Sequence, residues 1–440
     1  MLKEALPFLF TLISLGIYIL YLLISYQQFA RKRDKILYRV HVNGIRGKST
    51  VTRYVAAILR EAGYKTFGKI TGSTAHIIHP NGKESVWQRK GYPNVNEQVK
   101  VMRNFFRQQA EAVVMECMAI NPVYAQWLER KIIRSHIGII TNVRYDHPEY
   151  LGETLEEIAN SLAVTIPQNG TLITTESNPK LLNILKTKAK QKGTKFIVAN
   201  PNQVRTEDIK GFSAVAIEDN VAIAIEVAKL LKVPRKRALP AMWQTLNDQS
   251  AMKLESINWQ GSRIIWANMF AVNDRESFKL LCDRIFAQYP QHAKVILLNN
   301  RSDRIPRVAL FAKLAQSLNF NQFVTLGSCE AEVKKLFVDR PENLLLLGDS
   351  TSFKDAPATK LLTQITQTIQ EKNILLVGAV NIHTPQAQEL LSLFQTLVQI
   401  PTLETPQTTK QKKTKQKKAK HKKTKQKVCL NRSTRQKLRV

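Results

Sequence analysis

Cysteine is scarce in this chain of 440 residues, which contains only four of them. They stand far apart, as Cys117, Cys282, Cys329 and Cys429, and no two form a CxxC pair. This scarcity argues against both a cysteine-rich zinc site and a disulfide framework. We therefore expect the folded part of the chain to work in a reducing cytosol. Its length fits two or three domains.

Acidic residues are missing from the end of the chain. None of the 34 Asp and Glu residues follows Glu404, whereas 15 of the 66 Lys and Arg residues do. Residues 401–440 repeat short Lys-rich units and have almost nothing apolar to bury, so we predict a disordered basic tail. Such a tail can bind anionic lipid, a polyanion or nucleic acid, or stay solvated without a partner.

Long apolar runs are equally rare, and one stands out over residues 6–26. It holds 21 residues without a charge, enough to cross a bilayer core of ~30 Å. The basic residues 31–33 follow it, and positive charge beside a span marks the cytoplasmic side. The alternative, a cleaved signal peptide, has a shorter apolar core and small residues before its cleavage site. We therefore predict a single-pass anchor over residues 1–30, with the catalytic domains at the cytoplasmic face of the cell membrane. At that location the basic tail is expected to meet anionic lipid or a polyanion, and nucleic acid is disfavoured.

A complete Walker A motif is also missing, because Val42 stands where that motif has its first glycine. The shorter pattern Gly-x-x-Gly-Lys-Ser-Thr is present, from Gly44 to Thr50. The apolar run 36–42 before it predicts a strand, and apolar residues at helical spacing over 51–62 predict a helix after it. Strand, glycine turn and helix in this order are typical of a phosphate-binding loop, although short glycine patterns also form purely structural turns.

The residue types of this loop suit nucleotide chemistry. Glycines let backbone N–H groups close around phosphate oxygens, and the helix N-terminus adds positive potential. Lys48 is predicted to bridge the terminal phosphates and Ser49 to ligate Mg²⁺. We therefore predict that ATP and Mg²⁺ bind here, with further nucleotide contacts from Gly44, Arg46, Gly47 and Thr50.

Strand-like and helix-like segments alternate through the rest of the chain, which predicts α/β domains with mostly parallel sheets and helices on both faces. In the first domain, residues 31–250, strands are predicted over 36–42, 65–71, 112–115, 136–143, 171–175 and 195–198. Its helices are predicted over 94–109, 122–131, 155–164, 180–191, 219–231 and 234–243, besides the one after the loop. A second, Rossmann-like α/β domain is predicted over residues 251–400, with a hinge near 249–261.

Two predicted strand ends in the first domain carry polar residues. Glu116 ends the strand 112–115, and residues 141–147 (Thr-Asn-Val-Arg-Tyr-Asp-His) end the strand 136–143. Ligands of parallel sheets bind at the carboxyl ends of the strands. A carboxylate there can complete the Mg²⁺ site that one hydroxyl begins, so we predict that Glu116 is a metal ligand. His147 is predicted to ligate a second cation or touch phosphate, with Asp146 orienting it. A solvated surface role is the alternative for each.

The loop, Glu116 and the strand end 141–147, in this order, resemble the Mur ligase superfamily. Two weaker matches follow, at residues 252–255, with Lys253 for an arginine, and at residues 269–277, with Asn273. Within the superfamily, the chain is most similar to the ATP-dependent subunit of poly-gamma-glutamate synthase, the CapB/PgsB type. The residues that carry this similarity are the arginine in the loop, the segment 69–75, the apolar anchor and the segment 300–304 (Asn-Arg-Ser-Asp-Arg).

The resemblance implies a membrane-anchored ligase that activates a γ-carboxylate with ATP and joins it to the amine of glutamate, making poly-gamma-glutamate. It implies catalytic roles for Lys48, Glu116 and His147, nucleotide contacts from Asn273 and Arg301, and integral-membrane partner subunits. It also implies contacts with the substrate, from Thr71, Ser73, Asn142, Asp146, Lys253 and Arg304. The two arginines have a simple alternative, since loop arginines are commonly solvated.

One departure from the superfamily narrows the substrate. Only about 35 residues precede the first predicted strand, so we expect no counterpart of the N-terminal UDP-binding domain of cell-wall Mur ligases, and a UDP-muramoyl substrate is disfavoured. Two alternatives stay open. One is another Mur-like peptide ligase, such as a folylpolyglutamate-type enzyme. The other is a membrane-tethered, nucleotide-dependent protein that binds a polyanion without forming a bond.

Overall fold

Two mostly parallel sheets, one after the other along the chain, form the folded part of the protein. The computed structural model describes residues 2–71, 75–89, 91, 93–212, 217–245, 254–270, 272, 275–339, 341–381 and 384–398. The predicted basic tail and the predicted site residues Ser73, Lys253 and Asn273 lie outside these ranges.

The first sheet has eight strands in the order β4-β3-β2-β5-β1-β6-β7-β8. They are β1 Tyr38–Asn43, β2 Thr66–Ile70, β3 His76–Ile78, β4 Glu84–Val86, β5 Ala112–Glu116, β6 Ile137–Ile140, β7 Thr171–Thr174 and β8 Lys195–Val198. All neighbours pair in parallel except β3, which is antiparallel to both β2 and β4. The predicted parallel sheet is therefore confirmed, and the short β3–β4 hairpin is an addition that the sequence pattern did not predict.

Helices cover both faces of this sheet. They are α1 Leu2–Asp34, α2 Lys48–Glu61, α3 Asn96–Arg107, α4 Pro122–Trp127, α5 Pro148–Leu151, α6 Leu155–Leu162, α7 Pro179–Gln191, α8 Thr206–Ile209, α9 Glu218–Leu230 and α10 Arg235–Trp243. The predicted helix 122–131 is divided, because a π-helical turn, Leu128–Ile133, continues α4. Helix α2 begins at Lys48, earlier than the predicted residue 51, because Gly47 caps it in a left-handed conformation.

The central strands are buried on both sides, which explains their continuous apolar runs. Val40 and Val42 of β1 and Val114 of β5 have no exposed surface. Burying a side chain of this size contributes roughly 1.5–3 kcal/mol. Parallel pairing sets Val42 opposite Glu116 in the neighbouring strand, so the carboxyl ends of β1 and β5 lie at one edge of the sheet. That edge carries the phosphate loop.

The second sheet has six strands in the order β13-β12-β11-β14-β10-β9. They are β9 Leu254–Trp259, β10 Ser262–Met269, β11 Ala293–Asn300, β12 Gln322–Gly327, β13 Leu344–Leu346 and β14 Asn373–Ala379. The helices are α11 Arg275–Gln288, α12 Ile305–Gln316, α13 Glu330–Leu336, α14 Ala358–Gln367 and α15 Pro385–Leu397. Strand β9 pairs antiparallel with β10 and occupies half of the stretch predicted as the hinge.

Helix α1 contains one stretch, Phe8–Asp34, that is long and apolar enough to cross a membrane. Side chains 8–24 are exposed, whereas the last turns of α1 pack against the helical layer beside the first sheet. Phe29 is buried against Phe106, with ring centroids 5.1 Å apart, and the buried Arg33 donates a hydrogen bond of 2.6 Å to the Lys131 carbonyl. Helix α1 thus joins the amino end of β1, opposite to the end that carries the loop between β1 and α2.

Candidate active site

The loop between β1 and α2 requires its two glycines. Gly44 and Gly47 have φ angles of 118° and 84°, in the region that other residues rarely adopt. A Cβ atom at Gly44 would lie 2.1 Å from Thr141 Oγ1, and one at Gly47 would lie 2.3 Å from Asn220 Oδ1. Both positions therefore combine a left-handed backbone with a close neighbour, which only glycine tolerates.

Lys48 begins α2 and folds back over the loop. Its ammonium donates hydrogen bonds to the Gly44 carbonyl at 2.7 Å and the Ile45 carbonyl at 3.1 Å. Burial lowers the pKa of Lys48, and the nearby carboxylate of Glu116 opposes that shift. Helix α2, which also holds Thr50, has no side-chain cap and no acidic residue in its first turn. The loop can therefore present both a cation and backbone N–H donors to phosphate.

Glu116, the last residue of β5, meets the loop from the neighbouring strand. Its Oε2 accepts hydrogen bonds from the Ser49 hydroxyl and from the Thr71 backbone N–H, each at 3.0 Å. The Gln98 side chain donates to the Glu116 carbonyl at 3.1 Å. The Ser49 and Glu116 side chains offer oxygen atoms only, which is the donor set that Mg²⁺ and similar hard cations take. The pair therefore fits a divalent metal beside a bound nucleotide.

A second group of predicted residues gathers at the end of β6. The Asn142 side chain holds the Arg46 backbone on both sides, accepting from its N–H at 3.0 Å and donating to its carbonyl at 3.1 Å. The Arg46 guanidinium lies 3.4 Å from Asp146 Oδ2. Asn142 thereby fixes the middle of the phosphate loop to the neighbouring strand end, and Arg46 reaches the carboxylate four residues further on.

The His147 ring contacts the carboxylates of Glu149 and Asp146. Its Nδ1 lies 3.1 Å from Glu149 Oε1, and its Nε2 lies 3.8 Å from Asp146 Oδ1. Across the described ranges, no three His, Cys, Asp or Glu side chains come close enough together to hold a metal ion. The metal role of His147 stays a prediction.

Arginines from the part of the chain that forms the second sheet lie near this group. Arg301 and Arg304, both predicted, lie in the short turn before α12, where Arg301 forms a two-pronged ion pair with Asp303 at 2.9 and 2.8 Å. Arg307, on the first turn of α12, was not predicted, yet its Nη2 lies 3.5 Å from Asp146 Oδ1. No local pattern separates Arg307 from other helical arginines, because its partner belongs to the other sheet.

Sequence reasoning also missed a buried ion pair next to Thr71. Lys69 of β2 has no exposed surface, and its Nζ lies 2.6 Å from Glu97 Oε1. Arg89 binds the other oxygen of the same carboxylate at 2.8 Å. Burial lowers the pKa of Lys69, and the bond with Glu97 opposes this shift. The signal in the sequence is a lysine inside a strand of otherwise buried residues.

A second missed pair lies beneath the loop, where His41 of β1 is buried with Glu129. His41 Nδ1 lies 2.8 Å from Glu129 Oε2, and Ser135 donates to the same carboxylate through its N–H and hydroxyl. Burial alone would lower the pKa of His41, but hydrogen bonds with Cys117 and Glu129 outweigh it and raise the pKa to about 9. The raised pKa favours the protonated form of the buried His41 ring at neutral pH.

The raised pKa of His41 predicts a loss of stability in alkali. A histidine whose pKa is higher in the folded state stabilises fully below its unfolded value of ~6.5, and this contribution disappears as the pH rises through ~9. Between pH 6.5 and 9.5 the loss is expected to be on the order of 3 kcal/mol. Thermal unfolding of the full chain in detergent across this range measures it. Glu129→Gln should make the stability depend less on pH over this range, whereas His79→Gln, in the β3–β4 hairpin, should leave the pH dependence unchanged. An equally steep profile in Glu129→Gln would contradict the assignment.

The fold and the loop together define the class as a Mur-ligase-like nucleotide enzyme. The family model described as the Mur ligase middle domain matches residues 42–228, and the one described as the poly-gamma-glutamate synthase CapB C-terminal domain matches residues 254–397. Among solved structures, a Yersinia pestis bifunctional folylpolyglutamate synthase/dihydrofolate synthase, complexed with AMPPNP and Mn ion, superposes with a TM-score of 0.57. It is 15% identical, and the alignment covers 84% of this chain and 92% of that one. At this identity the likeness shows the fold.

Two curated relatives show the family. The capsule biosynthesis protein CapB of Bacillus anthracis is 32% identical over 362 residues, which cover 80% of this chain and 75% of the relative. The PGA synthase CapB of Bacillus subtilis is 35% identical over 308 residues, covering 69% and 78%. The chain therefore belongs to the CapB family of poly-gamma-glutamate synthases.

Proposed function

We propose that this chain is an ATP-dependent amide ligase that elongates poly-gamma-glutamate. Membership of the CapB family and the Mur-ligase-like fold support the reaction class. The observation that carries the proposal is the contact of Ser49 and Glu116 at the phosphate loop, 3.0 Å apart, beside the Lys48 ammonium. That arrangement suits a nucleotide triphosphate whose terminal phosphate is to be transferred.

The reaction has two steps. An oxygen of the substrate γ-carboxylate attacks the γ-phosphorus of ATP, and the bond from that phosphorus to the β,γ-bridging oxygen breaks. ADP is released, and the substrate becomes an acyl phosphate. The glutamate amine then attacks the acyl carbon, the bond between that carbon and the oxygen bridging to phosphorus breaks, phosphate leaves with this oxygen, and the amine loses a proton as the amide forms. Lys48 and the loop N–H groups stabilise the charge on the transferring phosphoryl group.

Ser49 and Glu116 are the residues that would hold a divalent metal, and we propose Mg²⁺. Such an ion supplies charge neutralisation and orientation of the phosphate oxygens when bound. The Thr71 N–H and the Gln98 side chain keep the Glu116 residue in place from two sides. His147 is proposed to hold a second Mg²⁺ on the acyl-phosphate side, with Asp146 orienting its ring.

The second domain is proposed to close over the nucleotide and exclude water, which would otherwise hydrolyse the acyl phosphate. Asn273 and Arg301 would contact the nucleotide in that closed form, and Arg304 would contact the substrate. Arg301 is 31% exposed and Arg304 42% exposed. Their guanidinia therefore remain accessible to ligands even though both contact Asp303.

The location that we propose is the cytoplasmic face of the cell membrane, with α1 as a single-pass anchor. The exposed apolar side chains of α1 and its basic last turn support this. Integral-membrane partner subunits and binding of anionic lipid or polyanion by the basic tail remain predictions from the sequence. Recovery of the chain in the soluble fraction after cell breakage would contradict the anchor.

The proposed reaction can be tested with membranes that contain the chain, alone and with its neighbouring subunits. Given ATP, Mg²⁺ and glutamate, we expect release of ADP and phosphate in step with the formation of γ-amide bonds, measured by mass spectrometry. ADP release that ignores glutamate, with no γ-amide in any subunit combination, would remove the ligase proposal. Glutamate added to a pteroate substrate instead of a γ-glutamyl chain would favour the folylpolyglutamate-type alternative.

A further inference from the structure

Asp146 lies between two guanidinia that come from different domains. Arg46, in the phosphate loop, lies 3.4 Å from Oδ2, and Arg307, on α12 of the second domain, lies 3.5 Å from Oδ1. The carboxylate is only 15% exposed, and Arg307 is 20% exposed. Asp146 therefore bridges the two arginines, next to the loop between β1 and α2.

Positive charge gathers around Arg307. Burial lowers its pKa, Asp146 opposes this, and the nearby Arg304, Arg46 and Arg301 lower it further. Arg301 shares its charge with Asp303, as an ion pair at 2.8–2.9 Å. An additional negative group would therefore relieve repulsion between these guanidinia, so the cluster is electrostatically prepared for an anionic ligand.

A guanidinium carries five N–H donors in a planar fork that matches a carboxylate. Arg307 contacts Asp146 through Nη2. Among the residues that the structure describes, no other hydrogen bond or ion pair involves its guanidinium, so most of its N–H donors can bind a ligand. Asp146 is itself held in place, since Oδ1 accepts the His147 backbone N–H at 3.1 Å. Asp146 thus orients Arg307 without using up its capacity for hydrogen bonds.

We propose that Arg307, together with Arg46, binds the carboxylate of the acidic chain that attacks ATP. The proposal rests on the proposed ligase function and adds a substrate-binding residue to it. Arg46 stands between the loop glycines Gly44 and Gly47, so a carboxylate held there is adjacent to the phosphate that it must attack. Because the two arginines belong to different domains, the site is complete only when both domains are in contact.

Kinetics of the full chain in its membrane complex test this, with a γ-glutamate oligomer of defined length as acceptor. Arg307→Ala should raise the KM for the acceptor ~10–100-fold, as expected for the loss of charge-assisted hydrogen bonds, with the KM for ATP within about twofold of wild type. The acceptor KM of Arg307→Lys should lie between those of wild type and Arg307→Ala, because lysine keeps the positive charge but lacks the planar fork of N–H donors. Binding of a fluorescent γ-glutamate oligomer, measured in parallel, judges the site independently of turnover.

Two control variants separate binding from domain contact. Arg284→Ala removes another ion pair between the domains, with Glu218 at 2.5 Å, and Lys313→Ala removes an exposed charge from α12 itself. Both should keep the acceptor KM of wild type. An equal rise in Arg284→Ala, or an unchanged acceptor KM and oligomer affinity in Arg307→Ala, would overturn the proposal. Wild-type chain that binds the oligomer but forms no γ-amide would contradict the ligase function instead.

Discussion

Replacement of Lys48 by alanine is expected to lower ATP-dependent γ-amide formation on the order of 10³-fold. The Lys48 ammonium is the cation of the phosphate loop, and it now rests on the carbonyls of Gly44 and Ile45 at 2.7 and 3.1 Å. On nucleotide binding it can exchange these neutral acceptors for phosphate oxygens, whose negative charge grows at the transferring group. Alanine leaves the loop glycines unchanged but removes that charge. Steady-state release of ADP, with and without glutamate, measures the loss.

Folding has to be separated from chemistry in this variant. Lys229→Ala is a suitable control, because Lys229 is an exposed lysine that pairs with Glu226 on α9. Both variants should unfold within a few degrees of wild type, and only Lys48→Ala should lose turnover. Retention of more than a tenth of the wild-type rate by a folded Lys48→Ala protein would break the assignment of the loop as the ATP site.

Glu116→Gln is expected to reduce turnover ~10²-fold or more and to raise the Mg²⁺ concentration needed for half-maximal rate. Changes in groups that only support metal ligands already cost roughly 10–100-fold in metal affinity or activity, so a direct ligand should cost at least as much. Glutamine keeps the size of the side chain and an oxygen that can accept from the Thr71 N–H, but it removes the negative charge. Titration of the rate with Mg²⁺, and its loss with a chelator, measures the effect.

The matched control lies at the other end of the same strand. Glu111 precedes β5 and, like Glu116, accepts a backbone N–H, that of Lys65 at 2.8 Å. Glu111→Gln should therefore show how much stability is lost when a carboxylate that accepts a backbone N–H is removed, without a change in the Mg²⁺ concentration needed for half-maximal rate. A Glu116→Gln variant whose Mg²⁺ dependence matches wild type would show that this carboxylate is a structural acceptor only.

Much of the fold could be predicted because buried parallel strands and amphipathic helices leave strong periodic patterns. The runs that became β1 and β5 are apolar over most of their length, and the structure places both inside the parallel part of the first sheet. Strands β3 and β4 have three residues each, too few for any period to show. Strand β9 lies within the stretch predicted as the hinge, and it forms through its antiparallel pairing with β10.

The candidate site, like the fold, could be predicted only in part from the sequence. Glu116, Asn142 and Asp146 lie at or within a few residues of the ends of apolar runs, and parallel strands bring such positions to one edge of a sheet, so their proximity to the loop could be predicted. The hydrogen-bond partner that each of these side chains takes could not be predicted. Whether Glu116 meets Ser49, and whether His147 meets Glu149 rather than Glu116, depends on side-chain directions that spacing along the chain does not encode.

The sequence by itself determined the phosphate loop, the order of the polar strand ends and the apolar first helix, since each depends on residues that are close together in the chain. Only the tertiary structure decided that Arg307 shares Asp146 with Arg46, and that the last turns of α1 pack against Phe106 and Lys131. The physical reason is that both arrangements arise from packing between elements far apart in the chain. Contacts of that kind depend on the shape of whole sheets and helix layers, and no local pattern of residues specifies them.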